Sequence, residues 1–434
     1  MQRKIALFTL SSCLVLAAGY RIPEQSVSAV ALGAANVANA SGADASYYNP
    51  ANMVFGIHDR QLEASLSVIS LEKTEFVGTV GGTGPYDIAS KSETIAMPGF
   101  HYAVKANDRL SYGFSLVVPG GLTKRWDESP AKTYAEEFTL ENVELNPSIG
   151  YKLSDTLAIG GGVRVIQSSG VVKSRGTVPV THPLLGTLGY TEIARDMEGD
   201  GTFFGYNLAV AYRPVENLSL AATYRSNVDL KEEGDAKLTR SEYTLLQDIP
   251  GSPTIPAGTT MPGASHSSGA SVTVPLPATL VLAAAYSFGD TTVELAYDKT
   301  MWSEYEDLDF KYDSTVSDAV LVAAFDDPKE KNWKDAVAYR LGVTHALNEK
   351  TRLMAGYVKD ETPVPESTLG FELPDADADV FSVGFWREVS PNLSAGAAYL
   401  QSRKKSRTVT NDDMDGKFTG STIHFVTVGM GYVF

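Results

Sequence analysis

Between about Asp59 and Phe434 the chain divides into fourteen segments in which large apolar side chains alternate with small or polar ones. A period of two is the signature of a strand with two unlike faces. The connections between these segments alternate too. Six are short and polar: Lys105–Arg109, Leu153–Thr156, Arg213–Asn217, Phe288–Thr291, Ala346–Lys350 and Glu388–Asn392. The seven between them are longer, reaching roughly 35 residues from Lys231 to Ser267. An even number of strands, with short turns at one end and long loops at the other, is how barrels of the bacterial outer membrane are built. The fold expected is therefore all-β: a 14-stranded antiparallel transmembrane β-barrel over residues 59–434, with the long loops outside the cell.

Individual strands carry the pattern clearly. Leu110, Tyr112, Phe114, Leu116 and Val118 share one face of the third strand, with Ser111, Gly113 and Ser115 opposite. In the fifth, Leu157, Ile159, Val163 and Val165 oppose Gly160, Gly162 and Arg164. Large residues are expected to face lipid, and small or polar ones a lumen. No run after residue 18 approaches the ~20 apolar residues of a membrane-crossing helix, and hydrophobic content is only 43%.

The ends agree with an outer-membrane destination. Arg3 and Lys4 precede an apolar run from Ile5 to Ala18, a signal peptide by pattern, with the mature chain expected to begin near Gly19. Cys13 lies inside it and is the only cysteine, which leaves the mature chain without a disulfide or thiolate site. Leu10-Ser-Ser-Cys13 also has the look of a lipidation box, though the apolar run continues past it. At the other end Val426, Val428, Met430, Tyr432 and Phe434 alternate to the last residue, as in the terminal strands by which such barrels are recognised by the assembly machinery.

Net charge is −16, which argues against nucleic acid as a partner. Much of the acid falls in candidate loops, for example Asp375, Asp377 and Asp379 or Asp412, Asp413 and Asp415. A solvated rim is the plain account, and cation bridging to lipopolysaccharide the other. No metal or cofactor site is expected.

Residues 19–58 differ from the rest. Ser26–Ala40 and the stretch to Ala51 are dominated by Ala, Gly, Ser and Asn, without strand alternation. Eight strands make a barrel whose side chains fill it, and sixteen leave a water channel. A fourteen-strand barrel needs something inside, and this segment is expected to form a mostly helical plug.

With that plug, the strand count and several local motifs, the sequence resembles the FadL/TodX family of outer-membrane transporters for long-chain fatty acids and aromatic hydrocarbons. The motifs are Gly19–Ser26 at the mature N-terminus, Asn49-Pro50-Ala51 at the end of the plug, Pro98–His101, Thr223–Ser226, Met301–Tyr305, Trp333–Ala336 with Arg340–Gly342, and Thr362–Pro365, all in family order. The resemblance implies that a hydrophobic molecule is collected by the third and fourth outer loops and passes to a site within the barrel. It would then leave sideways, after the plug rearranges, through a kink in the third strand. It also implies a monomer; passive transport is expected because the plug carries no recognisable energy-coupling box.

Pro119, Gly120 and Gly121 are where such a kink is expected, because proline cannot donate to a ladder and glycine tolerates unusual backbone angles; an ordinary strand end would read alike. Asn49, Pro50 and Ala51 are the gate residues on the plug side. Leu184, Leu185 and Leu188 in the third loop, and Leu245, Leu246 and Ile249 in the fourth, are candidate ligand contacts, since exposed aliphatic clusters are a liability unless they bind something. For a fatty-acid carboxylate, Arg164, Lys334 and Arg340 are the candidate inward cations, although a lumenal arginine can equally serve a wall carboxylate. Ser169 stands where the fatty-acid branch has an arginine, which leaves room for a neutral hydrocarbon. A hydrolase is disfavoured, because none of the six histidines is spaced to serve a nucleophile. A general porin or a phage or adhesion receptor is the remaining alternative, and an open porin would need neither plug nor apolar loops.

Overall fold

The computed structural model describes residues 19–56 and 58–434; the expected signal peptide, with Cys13, lies outside the described residues. Fourteen antiparallel strands form the wall. They are β1 Arg60–Leu71, β2 Glu93–Lys105, β3 Leu110–Val117 continued as Gly121–Arg125, β4 Glu137–Lys152, β5 Leu157–His182, β6 Gly186–Val215, and β7 Leu218–Arg225 continued as Val228–Arg240. Then follow β8 Ala264–Leu276 continued as Thr279–Phe288, β9 Thr291–Thr300, β10 Ala336–Asn348, β11 Thr351–Asp360, β12 Ala378–Ser390, β13 Leu393–Lys404 and β14 Thr422–Val433. Each pairs with its neighbour in sequence, and β14 returns to β1 from Gln61↔Val433 to Leu71↔Ile423, closing the ring. Closure removes the unpaired edges that lipid cannot satisfy.

Alternation sorts the wall as expected. On β6, Leu208, Val210 and Tyr212 are exposed while Asn207, Ala209 and Ala211 are buried. In water such a surface would be an interaction patch; around a closed barrel it is the lipid-facing band. Tyr297–Tyr339 and Tyr357–Phe381 ring pairs, with centroids 5.8 and 5.2 Å apart, belong to the aromatic residues on this outer surface.

The third long connection departs from expectation. β5 and β6 run for 26 and 30 residues, against the ~9–11 that cross the hydrocarbon, and stay paired as far as His182↔Gly186 with one register shift, between Val180 and Thr181. What was read as a loop around Val178–Leu188 is a tall hairpin whose tip is residues 183–185. The ladder continues beyond lipid because the paired backbone remains satisfied in water. The first and last long loops meet in a separate four-stranded sheet, Glu75–Val80 and Thr83–Ala89 with Arg407–Thr410 and Met414–Phe418. Phe76, Phe418 and Phe371 pack beneath it at 4.9–5.6 Å.

Residues 20–55 lie inside the ring, and contrary to the expected mostly helical plug they are largely irregular chain, with only two short helices, α1 Val27–Ala31 and α2 Ala45–Tyr48, and a 3-10 turn Pro50–Phe55; residues so small in side chain bury too little apolar surface to hold longer helices. The Ser26 hydroxyl caps α1 by accepting from Ala29 N at 3.1 Å. Asn49 does the same for the turn, accepting from Ala51 N at 3.1 Å and donating to Val37 O at 3.0 Å, with Pro50 in the first turn where its missing N–H costs nothing. The small composition of this segment follows from its confinement. A Cβ on wall residue Gly160 would stand 2.5 Å from Ala51 N, and one on Gly356 2.4 Å from the Leu32 carbonyl carbon.

Candidate functional site

Three structural features meet inside the barrel: the ionic anchoring of the plug, a break in β3, and a cavity above the plug.

The anchoring uses the inward charges of the wall. Asp298 on β9 receives Arg21 of the plug at 2.8 Å and Arg340 of β10 at 3.0 Å, while Arg340 Nη1 donates to Gly33 O at 2.7 Å. Glu294 accepts three successive plug N–H groups, from Val37, Ala38 and Asn39, at 2.6–2.9 Å. Consecutive backbone amides of this kind form an anion nest. Arg164 pairs with Glu144 at 3.0 Å and donates to Ser226 O at 2.6 Å; Arg225 also pairs with Glu144 and lies over the Tyr47 ring at 4.2 Å. Arg164 and Arg340 thus face inward, as their strand parity predicts, but both are spent on wall carboxylates and backbone oxygens. Neither lines the cavity.

The break lies where the Pro-Gly-Gly run sits. β3 pairs with β4 up to Val117↔Glu144 and resumes at Gly121↔Glu141, and its pairing with β2 ends at Phe100↔Leu116. The freed backbone is taken up by the start of the plug. Gln25 accepts from Val118 N at 2.9 Å and donates to Val118 O at 2.7 Å; Ile22 N donates to Pro119 O at 2.9 Å; Gly121 N donates to Tyr20 O at 2.8 Å. Arg21 and Gly120 stand opposite each other as an isolated antiparallel bridge. The plug therefore acts as a substitute strand across the gap, which satisfies groups that would otherwise be buried without partners.

The cavity is narrow and open at one side: the centre of a water-sized sphere can reach about 40 Å³ of it, within about 610 Å³ of unfilled space that takes in the solvent at its mouth. Its wall is mainly apolar: Leu122, Phe138 and Leu140 from the side of the break, Val172, Val272 and Val274 from β5 and β8, and Phe310, Leu308 and Trp333 from the long loop 301–335. Tyr20 joins the cavity to the break. Its ring packs on Trp302 at 4.6 Å and Trp333 at 5.8 Å, its hydroxyl donates to Pro275 O at 2.5 Å, and its own carbonyl is the one that holds Gly121. The polar groups of the lining include Lys331, Glu372 and Glu232. Lys331 and Glu372 form an ion pair. Burial pushes the Glu372 carboxyl up, but the Lys331 ammonium and the hydrogen bonds it receives outweigh this and hold it below the usual range.

Lys334, expected to point inward, is exposed, and Lys331 three residues earlier is the buried cation. The inward parity of Arg340 does not reach Lys334, because β10 begins only at Ala336 and the chain before it turns through a left-handed Asn332 (φ 45°). The loop aliphatics are likewise not at the cavity. Leu184 at the hairpin tip is 88% exposed and Leu246 is 61% exposed, while Leu188 and Leu245 are buried, joined by Leu246 N donating to Leu188 O at 2.8 Å. Leu185 is half-buried, and Ile249 pairs with Ile255. Tyr20, Gln25, Lys331 and Glu232 were not singled out from the sequence; the first two lie in the Gly19–Ser26 motif, and Lys331 two residues before the Trp333 motif.

A plugged fourteen-strand barrel with an apolar cavity belongs to the class of outer-membrane transport proteins for hydrophobic molecules, not to open porins. Comparison with known proteins narrows the class. The family model described as outer membrane protein transport protein (OMPP1/FadL/TodX) matches residues 8–434, so the chain belongs to that family. It is 26% identical over 388 residues to the long-chain fatty acid transport protein of Shigella flexneri, covering 82% of this chain and 80% of that protein. It is 25% identical to outer membrane protein P1 of Haemophilus influenzae, covering 71% and 66%. Among solved structures, a Pseudomonas aeruginosa FadL homologue superposes with a TM-score of 0.79 at 19% identity, covering 96% of this chain and all of that one. The Pseudomonas putida toluene transporter TodX gives 0.67 at 18% identity, covering 94% and 98%. These structures share the fold.

Proposed function

We propose that this outer-membrane transporter admits long-chain, fatty-acid-like molecules into the cavity above the plug and releases them sideways into the membrane at the β3 break. The observation that carries the reading is Tyr20, whose ring lines the cavity and whose carbonyl holds Gly121 across the break. A molecule entering the cavity competes with the Tyr20 ring for the Trp302–Trp333 surface, and a displaced Tyr20 frees Gly121. Sideways release keeps an apolar molecule out of water at every stage, which gives the gap at β3 a physical reason; the ladder lapses a second time between β6 and β7, from Asn207↔Arg225 to Asp200↔Glu233. Lys331 is the cation available to a carboxylate, and the fatty-acid reading has the support of the curated relatives' names.

A second reading is favoured by one observation. Lys331 is already paired with Glu372, so a carboxylate has to displace a partner whereas a neutral hydrocarbon does not. Uptake of labelled oleate and labelled toluene separates them. Cells lacking their own channels of this kind would carry the intact protein or one in which Pro119–Gly121 is replaced by a regular strand sequence. Entry of oleate that the replacement abolishes supports the first reading, and entry of toluene alone the second. Entry of neither into cells holding correctly inserted protein contradicts both.

A further inference from the structure

Glu232 is the cavity's unexplained group. It sits on the inner face of β7 at 4% exposure, and its Oε1 accepts from the Ser168 hydroxyl. Among the described residues no lysine or arginine forms an ion pair with it, in contrast to Glu144, Asp298, Glu294 and Glu372, which are satisfied by cations or by several backbone amides. Its other oxygen, Oε2, has room because position 170 carries no side chain; a Cβ there would lie 2.1 Å from it. Glu232 and Gly170 both line the main cavity, and both also line its narrow extension between β5, β6, β7 and β8 beside Met197, Gly199 and Gly234. Among the described residues no group donates to Oε2, and a carboxyl set this deep in the wall favours a donor from the cavity side.

We propose that Glu232 selects the cargo: the cavity is built for hydrophobic molecules bearing an uncharged hydroxyl head group, such as long-chain alcohols, which donate to Glu232 Oε2 while the chain lies against Val172, Val272 and Phe310. This rests on the reading that the cavity is the transport site. The chemistry of the lining argues for a neutral donor. A carboxylate cargo would bring a charge into a low-dielectric space where the cation of the lining, Lys331, is already held by Glu372. A hydrocarbon offers Glu232 no hydrogen bond. A hydroxyl offers one and brings no charge of its own.

The test uses the purified full-length protein in detergent and three probes of equal chain length: a pyrene-labelled dodecanol, the corresponding dodecanoate and the dodecyl hydrocarbon. Binding is read by energy transfer from the protein's tryptophans, Trp333 among them at the cavity wall. The alcohol is expected to bind at least about tenfold more tightly than the hydrocarbon, and more tightly than the carboxylate. In Glu232→Gln the alcohol's advantage over the hydrocarbon shrinks to within about threefold and carboxylate binding improves. Wild-type protein that binds the alcohol and the hydrocarbon equally, or the carboxylate most tightly, overturns the proposal; so does a folded E232Q with unchanged preferences. The wild-type comparison decides the matter alone if E232Q does not fold. Val272→Trp, which fills the cavity, keeps the two levels apart: if it leaves binding of all three probes intact, the cavity reading itself fails, whatever the head-group preference.

Discussion

The account makes the plug responsible for holding the broken part of β3 together, and Gln25→Leu tests that with little change in side-chain volume. Gln25 is 2% exposed and makes two hydrogen bonds to Val118, one to its N–H and one from its side-chain amide to the carbonyl, at 2.9 and 2.7 Å. Leucine fills much the same space and bonds to neither, leaving both Val118 groups without partners in a place water does not freely reach. Each orphaned group costs about 1–3 kcal/mol, so the closed state loses about 2–6 kcal/mol less whatever water entering the gap restores. Even 2 kcal/mol raises the open population about 30-fold. Amide exchange of residues 117–121, followed by mass spectrometry in detergent, should therefore accelerate by at least about that factor, while exchange in the regularly paired β12–β13 ladder stays as it was. Unchanged exchange at Val118 and Gly121 in a folded Q25L protein would refute the claim that the plug substitutes for a strand there.

Three further outcomes follow from the same geometry. Asp298→Ala leaves Arg21 and Arg340 buried without their shared carboxylate, which should cost about 3–5 kcal/mol and appear as a lower denaturant midpoint. Gly160→Val drives a Cβ to 2.5 Å from Ala51 N, a backbone atom that cannot yield alone, so the Pro50–Phe55 turn must shift, costing about 1–3 kcal/mol and lowering the temperature of the heat-modified gel shift. Glu372 titrates below its unfolded value, so its contribution to stability is complete above that unfolded value and is lost as pH falls through the folded one; acidification should loosen the Lys331–Glu372 contact, seen as a red shift of tryptophan emission, and Lys331→Met should remove that transition.

Strand number, the sorting of turns and the position of the β3 break were readable because each depends on local chemistry. Alternation gives a strand its faces wherever it runs, and Pro119 has no N–H to donate to a ladder in any surroundings. The plug was readable from side-chain size, since a segment rich in Ala, Gly, Ser and Asn can bring its backbone close to wall glycines such as Gly160 and Gly356. The cavity was not, because Tyr20, Gly170, Glu232, Lys331 and Glu372 come from five separate segments. Where β10 stops, parity stops, and Lys334 turned outward while Lys331 turned in. The height of the β5–β6 hairpin was hidden for another reason: its upper half alternates as its lower half does, and nothing local marks where lipid gives way to water. Arg164 and Arg340 were placed correctly by parity, yet their partners, Glu144 and Asp298, lie on neighbouring strands and could be assigned only once register was known.

The most direct measurement is uptake through a protein whose plug is tied to the break. Arg21 and Gly120 form the non-hydrogen-bonded pair of an antiparallel bridge, where Cα atoms stand about 4.5 Å apart, within the range a disulfide spans. Cys13 is the sole cysteine of the sequence, so Arg21→Cys with Gly120→Cys would be the only cysteine pair within residues 19–434. Oleate and pyrene-dodecanol uptake should fall to background when the pair is oxidised and return when the same cells are treated with reductant. Equal uptake in both states, with the cross-link shown to be complete, would contradict release past the plug and through β3.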